Sequence, residues 1–394
     1  MKFLSTILIF ALFLQPFHYG AVSANYLFIF FPFFIIIYKQ RLIIPSNSIL
    51  FFICLFFIIL FIGFISQPEY LQFGTRRIIS FILFMFIFSF LFIPIDEKLV
   101  DAFKISIIIA SLIVMLPYIF SLLSVGLENL GWGSKSKFGA QRYGFVYIMA
   151  FWLVLMFKHE SKYIYGLKII LIPTIIMGIL ILFNRSSIVS FFGSGAIYFL
   201  YRIIIHKSTI RKKISFVIFS FIVMFVLFLG VSNYAPFIIT FFEKRLLLMF
   251  ELSATSGLVF EDTGSESYRI DMLNRILNFL SDNFLIGSGF LGVWVLFSDL
   301  SGSTHNQYTD ILFRAGVLGF FAYLYLLICI TKYTFLYHKD LFFGLVGVLI
   351  YGLFHETFKL SQGGFIFAFL LAITFQRKRT MQLSQENNQA NPAY

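Results

Sequence analysis

The stretch GSTHNQYTDILFRAGVLG, residues 302–319, sets a histidine, two amides and an aspartate side by side in a chain otherwise dominated by phenylalanine, isoleucine and leucine. Histidine is the side chain whose ordinary pKa lets it take up a proton near neutral pH. His305 falls at the start of an apolar-periodic segment, with Ser303 or Thr304 available to cap a helix there. The positive end of such a helix disfavours the imidazolium, which keeps His305 neutral and able to accept a proton from a hydroxyl. Asn306 and Gln307 read as substrate-binding neighbours. Gly316 and Gly319, at small-x-x-small spacing, read as the face on which this helix packs against another. Asp310 lies about one and a half turns beyond His305, off its face, and is a weak candidate for orienting it.

A second set of residues is basic. Arg185, in FNRSS, stands at the junction of two apolar runs, where a charge is costly unless it has a partner or faces a watery cavity. Arg269 lies in SESYRIDMLNRILNFLSDN, Lys135, Lys137 and Arg142 crowd GWGSKSKFGAQRYG, and Lys359 ends another apolar run. A guanidinium binds two phosphate oxygens at once and stays charged, so this set points to an anionic ligand held near a membrane. Arg76, Arg77 and Arg275 read instead as side chains that snorkel to headgroups.

The elements that must position these residues are membrane helices. Of 394 residues 60% are hydrophobic and 12% charged, far from the usage of soluble domains. The 58 phenylalanines read as lipid-facing bulk. Two cysteines, Cys54 and Cys329, lie far apart inside apolar runs, which argues against a disulfide framework or a zinc site. Stretches long enough to cross a hydrocarbon core fall near 3–17, 25–38, 48–66, 78–95, 100–125, 144–157, 166–183, 187–205, 214–233, 306–331, 340–357 and 362–375. The chain is therefore read as an all-α integral membrane protein of about twelve transmembrane helices. The first apolar stretch also has the features of a secretory signal, with AVSA at 21–24 as a cleavage-like site, but the downstream charge pattern favours a retained helix.

Short cytoplasmic loops are enriched in Lys and Arg. With the N-terminus inside, those loops carry the KQR at 39–41, Lys158, Lys162 and Lys168, the run Lys207, Arg211, Lys212 and Lys213, then Lys332 and Lys339, and the tail QRKR at 376–379. The net charge of +12 is thus topological, and its division among many loops argues against a nucleic-acid partner. The outer side holds one long polar excursion, too long to be a mere connection. The organisation expected is helices over 1–233, a large outer loop over 234–305 with an amphipathic helix starting near Ser267, further helices over 306–376, and a cytoplasmic tail over 377–394. Neither a cofactor nor a metal is expected, since the outer side shows no ligand spacing. A transporter or flippase is the rival class, for which many spans and a basic cavity are equally natural; it predicts short outer loops and ionisable groups near mid-span.

STHNQYTDILFRAGVLGFFAYLYLL resembles the signature of the O-antigen ligase and polymerase superfamily, a His-Asn pair after the large periplasmic loop followed by a helix carrying G-x-x-G. ILFNRSSIVSFFGSG is similar to the family's Ser/Thr-Arg-Ser/Gly segment, with Asn184 in place of the hydroxyl residue, and GSESYRIDMLNRILNFLSDNFLIGSGFLG resembles its Arg-containing loop helix and glycine-rich exit. The resemblance spans roughly residues 170–335. It implies a GT-C-type membrane glycosyltransferase at the periplasmic face of the bacterial inner membrane, acting on oligosaccharides linked to undecaprenyl diphosphate. Arg185 and Arg269 would bind the diphosphate and His305 would act at the acceptor hydroxyl or the leaving group, by a metal-independent, inverting transfer. Within that superfamily a polymerase is favoured over a ligase that delivers the glycan to lipid A core. Membrane lipids and a chain-length regulator are the partners such a polymerase would meet.

Overall fold

A computed structural model describes residues 18–19, 22–23, 47–65, 88–92, 95–125, 144–156, 162–181, 185–205, 264–289, 304, 306–357 and 363–376, with isolated positions at 210, 214, 215, 218, 293 and 297. Its helices are α1 (Asn47–Ile65), α2 (Glu97–Val125), α3 (Gly144–Met156), α4 (Lys162–Ile181), α5 (Arg185–Leu200, continued by one π turn), α6 (Gly264–Asp282), α7 (Gln307–Tyr337), α8 (Lys339–Gly352) and α9 (Gly363–Gln376). All but α6 stand where the hydropathy places a span. The expected spans at 3–17 and 25–38, nearly all of 214–233 and most of 78–95 lie outside the described residues; within the last, Phe88–Phe92 forms a short 3-10 turn. Apart from a two-residue antiparallel ladder that pairs His18 with Ser23 and Tyr19 with Val22, the described secondary structure is helical.

The chain divides into one unit of residues 1–194 with 272–394 and another of residues 195–271. In the larger unit α3 is the hub, flanked by α8, α2 and α4, while α1 lies along α7. Every residue of α3 from Gly144 to Val154 is buried. A helix that is apolar all round and buried all round belongs at the centre of a bundle. Here α9 has the same character, with Phe365 to Ala372 buried and Phe369 stacked on Phe103 of α2 at 4.1 Å.

The contacts of α5 reveal the solvent for which the fold is built. Ser186, Ser187, Ser190 and Ser194 are buried, whereas Val189 and Phe192 are exposed. In water that arrangement would be inside out. In hydrocarbon it is favourable, because the tails are as apolar as Phe and small residues let helix backbones approach. Trp152 Nε1 donates to Ser194 Oγ at 2.9 Å, and Gly347 of α8 faces Ile148 and Ser194 with no room for a side chain. Among the described residues two helices, Ser186–Ile204 and Gln307–Tyr337, are long and apolar enough to cross a membrane, and four more are shorter apolar helices. This is a membrane protein.

The helix over 264–282 begins three residues before the expected cap at Ser267. Of the apolar series read from its sequence, Ile276 and Leu280 are buried together with Met272, one stripe at i, i+4, i+8, while Leu273 and Leu277 are exposed. Phe279 packs on Phe313 of α7 with ring centroids 5.1 Å apart. Cys54 and Cys329 are both free thiols.

Candidate functional site

The two ends of the larger unit differ in chemistry. At one end Ile95 N–H donates to Gln376 Oε1 (2.5 Å), and Lys104 of α2 pairs with Asp340 at the start of α8 (2.5 Å). That end therefore collects the Lys339 turn and the base of the QRKR tail, two of the positively charged loops. At the other end a methyl group added to Gly144, the first residue of α3, would meet Ser187 in the first turn of α5 and the ring of Tyr351 in the last turn of α8. One added to Gly352 would meet Gln307 Cβ at 3.4 Å, Thr357 Oγ1 at 3.6 Å and the Tyr308 ring at 3.7 Å. The starts of α3, α5 and α7 and the exit of α8 thus crowd together. Three helix N-termini in one place make a region that favours negative charge.

The start of α7 reaches this place only because the helix is folded. Straight, its 31 residues would extend about 46 Å, whereas the 14 residues of α8 extend about 21 Å from the shared turn at His338. Yet Tyr308 Oη donates to the Leu349 carbonyl at 2.9 Å, and Gln307 abuts Gly352. Gly316 resolves the mismatch, with φ +58° and ψ −168° inside the helix. Residues 317–337 climb about 31 Å and residues 307–315 come back about 13 Å, which leaves the start of α7 level with the end of α8. The opening of α7 is a half-helix that dips into the bundle.

A second strand of backbone locks that fold. Val317 N–H donates to the Phe284 carbonyl (2.9 Å), Leu318 N–H to Leu285 (3.3 Å), and Ser288 N–H to the Phe313 carbonyl (2.8 Å). Gly287, at φ +73°, lies so close that a Cβ there would be 2.5 Å from both Gly316 N and Phe313 O. The glycine-rich exit of α6 is therefore seated in the notch of α7. The Gly316 and Gly319 pair consequently divides its work, contrary to the reading of both as a helix-packing face. Gly316 makes the reversal and lies against the Leu285–Ile286 backbone, whereas Gly319 faces Phe56 and Ile59 of α1.

At the tip of the half-helix the cap is Asn306, not Ser303 or Thr304. Its Oδ1 accepts from Tyr308 N (2.9 Å) and Thr309 N (3.1 Å), satisfying two otherwise orphaned donors. Thr304 has a different task. Its N–H donates to Glu356 Oε1 at 2.7 Å, and its one hydroxyl hydrogen is shared between the same oxygen at 2.8 Å and the Asn306 carbonyl at 2.9 Å. Glu356 is only 8% exposed. Within the half-helix Asp310 takes Arg314 Nε at 2.8 Å, both side chains buried, so Asp310 is committed to the arginine one turn on. Ser187 Oγ and Thr357 Oγ1 are buried and take no hydrogen-bond partner among the described residues. Glu356, Arg314 and the two hydroxyls were not singled out by sequence reasoning. The one signal that could have found Glu356 is an ionisable residue directly after an apolar span.

Of the candidate residues, Asn306 and Gln307 lie in this crowded end, Gln307 being almost fully buried. Arg185 is the first residue of α5, adjacent in sequence to the buried Ser186 and Ser187 that stand there. Arg269 lies in the second turn of α6, in the part belonging to the smaller unit. His305, Lys135, Lys137, Arg142 and Lys359 lie outside the described residues. Thr304, Asn306, Gly144 and Thr357, which are described, lie at this end of the larger unit.

Residues 169–324 match the family model described as O-antigen ligase. That segment begins in α4, takes in α5 and α6, and ends in α7 just past the Gly316 reversal. It agrees with the motif resemblance to the O-antigen polymerase and ligase superfamily, whose members are glycosyltransferase-like enzymes acting on polysaccharide. No curated protein matches the chain.

Proposed function

We infer, from the O-antigen ligase family match across residues 169–324, that the protein is a surface-polysaccharide polymerase of the bacterial inner membrane, working at the periplasmic face. It transfers a growing glycan from undecaprenyl diphosphate to the next lipid-linked repeat unit. The observation that carries the reading is the crowding of the starts of α3, α5 and α7 at one end of the larger unit, because the matched segment supplies two of them and each of those two opens on a candidate, Arg185 and Gln307.

The chemistry divides among few groups. The bond that breaks joins the anomeric carbon to a diphosphate oxygen, and the bond that forms joins that carbon to an acceptor hydroxyl. Negative charge grows on the departing diphosphate, and Arg185 and Arg269 would neutralise it, their planar donors each spanning two oxygens. The helix start that Arg185 opens adds positive potential in the same direction. His305 takes the proton of the incoming hydroxyl. The acceptor attacks opposite the leaving diphosphate, so configuration inverts. Asn306 and Gln307, and the cationic Lys135, Lys137, Arg142 and Lys359, would hold sugar and phosphate groups around the reacting pair.

Incubating the purified protein in lipid with lipid-linked repeat units alone tests this reading. A ladder of products one repeat apart supports polymerisation. Product that forms only when lipid A core is added would make the protein a ligase, and no transfer with either acceptor would remove the enzyme reading.

A further inference from the structure

We propose that Glu356 is a positioning residue for His305: its buried carboxylate, carried on the turn after α8, grips Thr304, the residue that precedes the histidine in the sequence. The inference rests on the reading of His305 as the proton acceptor of the transfer.

The grip is specific. Thr304 N–H donates to a carboxylate oxygen 52 positions away in sequence, and Thr304 Oγ1 lies within hydrogen-bond distance of that oxygen and of the Asn306 carbonyl. Both residues are buried. Bonds to an ionised acceptor are about twice as strong as neutral ones, and burying a carboxylate is costly unless donors meet it. On the other side of His305, Asn306 is fixed by capping α7, and its N–H lies 3.4 Å from Thr304 Oγ1. Both residues that flank His305 in the sequence are thus anchored, Thr304 by Glu356 and Asn306 by the start of α7.

The mount is equally fixed. Leu353 N–H bonds the Ile350 carbonyl (3.1 Å), and Phe354 and His355 N–H both bond that of Tyr351 (3.0 Å). The His355 ring stacks on fully buried Tyr351 at 4.8 Å, and Gly352 is pressed against Gln307. Helix capping does not require this carboxylate, because Asn306 already supplies the cap. What Glu356 adds is the placement of the residue just before the histidine. An ionisable side chain recessed in a membrane bundle without a capping duty is the kind retained for function.

The test uses the full-length protein in lipid nanodiscs with lipid-linked repeat units, reading kcat and KM separately, with Glu356→Ala, Glu356→Gln, Thr304→Val, Thr304→Ser and His305→Ala. A displacement of about 1 Å at a reacting group costs roughly a hundredfold in rate, so Glu356→Ala should lower kcat about that much and leave KM within about twofold. Glu356→Gln keeps an oxygen that accepts from Thr304 and should recover kcat to within about tenfold of wild type. Thr304→Val should lower kcat and Thr304→Ser restore it. Wild-type kcat in Glu356→Ala, beside an inactive His305→Ala, overturns the positioning role and leaves the function intact. Glu356→Gln as slow as Glu356→Ala also overturns it, since the grip would then not be what matters. An active His305→Ala instead removes the function reading itself. Should Glu356→Ala fail to accumulate, equal rates in Thr304→Val and Thr304→Ser overturn the proposal.

Discussion

Replacing Gly316 with alanine should undo the reversal of α7. At φ +58° and ψ −168° a residue with a side chain pays about 1–3 kcal/mol in backbone strain. Its Cβ would lie 2.5 Å from Ile286 N and against the Leu285 carbonyl, atoms of backbone that cannot swing aside. The 284–288 segment must therefore leave the notch, and with it go hydrogen bonds of 2.8, 2.9 and 3.3 Å, each worth about 1 kcal/mol net. The total is about 4 kcal/mol, roughly a thousandfold in the equilibrium for the folded-back half-helix. A disulfide reports that equilibrium directly. Gln307 Cβ lies 3.4 Å from where a Gly352 side chain would start, close to the span of a disulfide, whereas in a straight α7 the two sites would be about 25 Å apart. In a Cys54→Ala, Cys329→Ala background, Gln307→Cys with Gly352→Cys should cross-link on mild oxidation, read as a joined peptide pair by mass spectrometry. Adding Gly316→Ala should cut the yield by at least about tenfold and lower the thermal midpoint in detergent. Equal yield with and without the alanine would refute the reversal.

Three further outcomes follow from the same geometry. Asn306→Ala should cost about 1 kcal/mol of stability in detergent, and Asn306→Asp should not, because the carboxylate still accepts from Tyr308 and Thr309 N–H and suits the helix start. Asp310→Ala removes the carboxylate that faces the buried Arg314 Nε and should cost about 3–5 kcal/mol, more than the double replacement of Asp310 by Ala and Arg314 by Met; thermal unfolding of both proteins decides. Gly347→Leu drives a side chain into Ile148 and Ser194 and should abolish accumulation in the membrane, measured by immunoblot, whereas Gly166→Leu, a position with open space around it, should not.

Long-period features of the sequence were legible. Hydropathy placed α1 to α5 and α7 to α9 because a stretch that must satisfy its backbone in lipid has little choice but helix. The amphipathic helix after Ser267 was legible too, though its buried stripe runs through Met272, Ile276 and Leu280, with Leu273 and Leu277 left exposed. Local pattern failed where a residue answers to a distant one. Gly316 and Gly319 share a spacing that means helix packing in one setting and a reversal in another, and only the glycine-rich segment at 287–289, docked from outside, decides between them. The cap passed from Ser303 or Thr304 to Asn306 because Thr304 is drawn away by Glu356, a partner 52 residues off that no periodicity marks. Asp310 likewise answers to Arg314, which looked like one more charge in an apolar run.

The role of His305 is decided by comparing the wild-type protein and His305→Ala, each purified into nanodiscs, for transfer between lipid-linked repeat units. The wild type should give a ladder of products and the variant none, with both proteins equally folded. A ladder of ordinary length from His305→Ala would contradict that role.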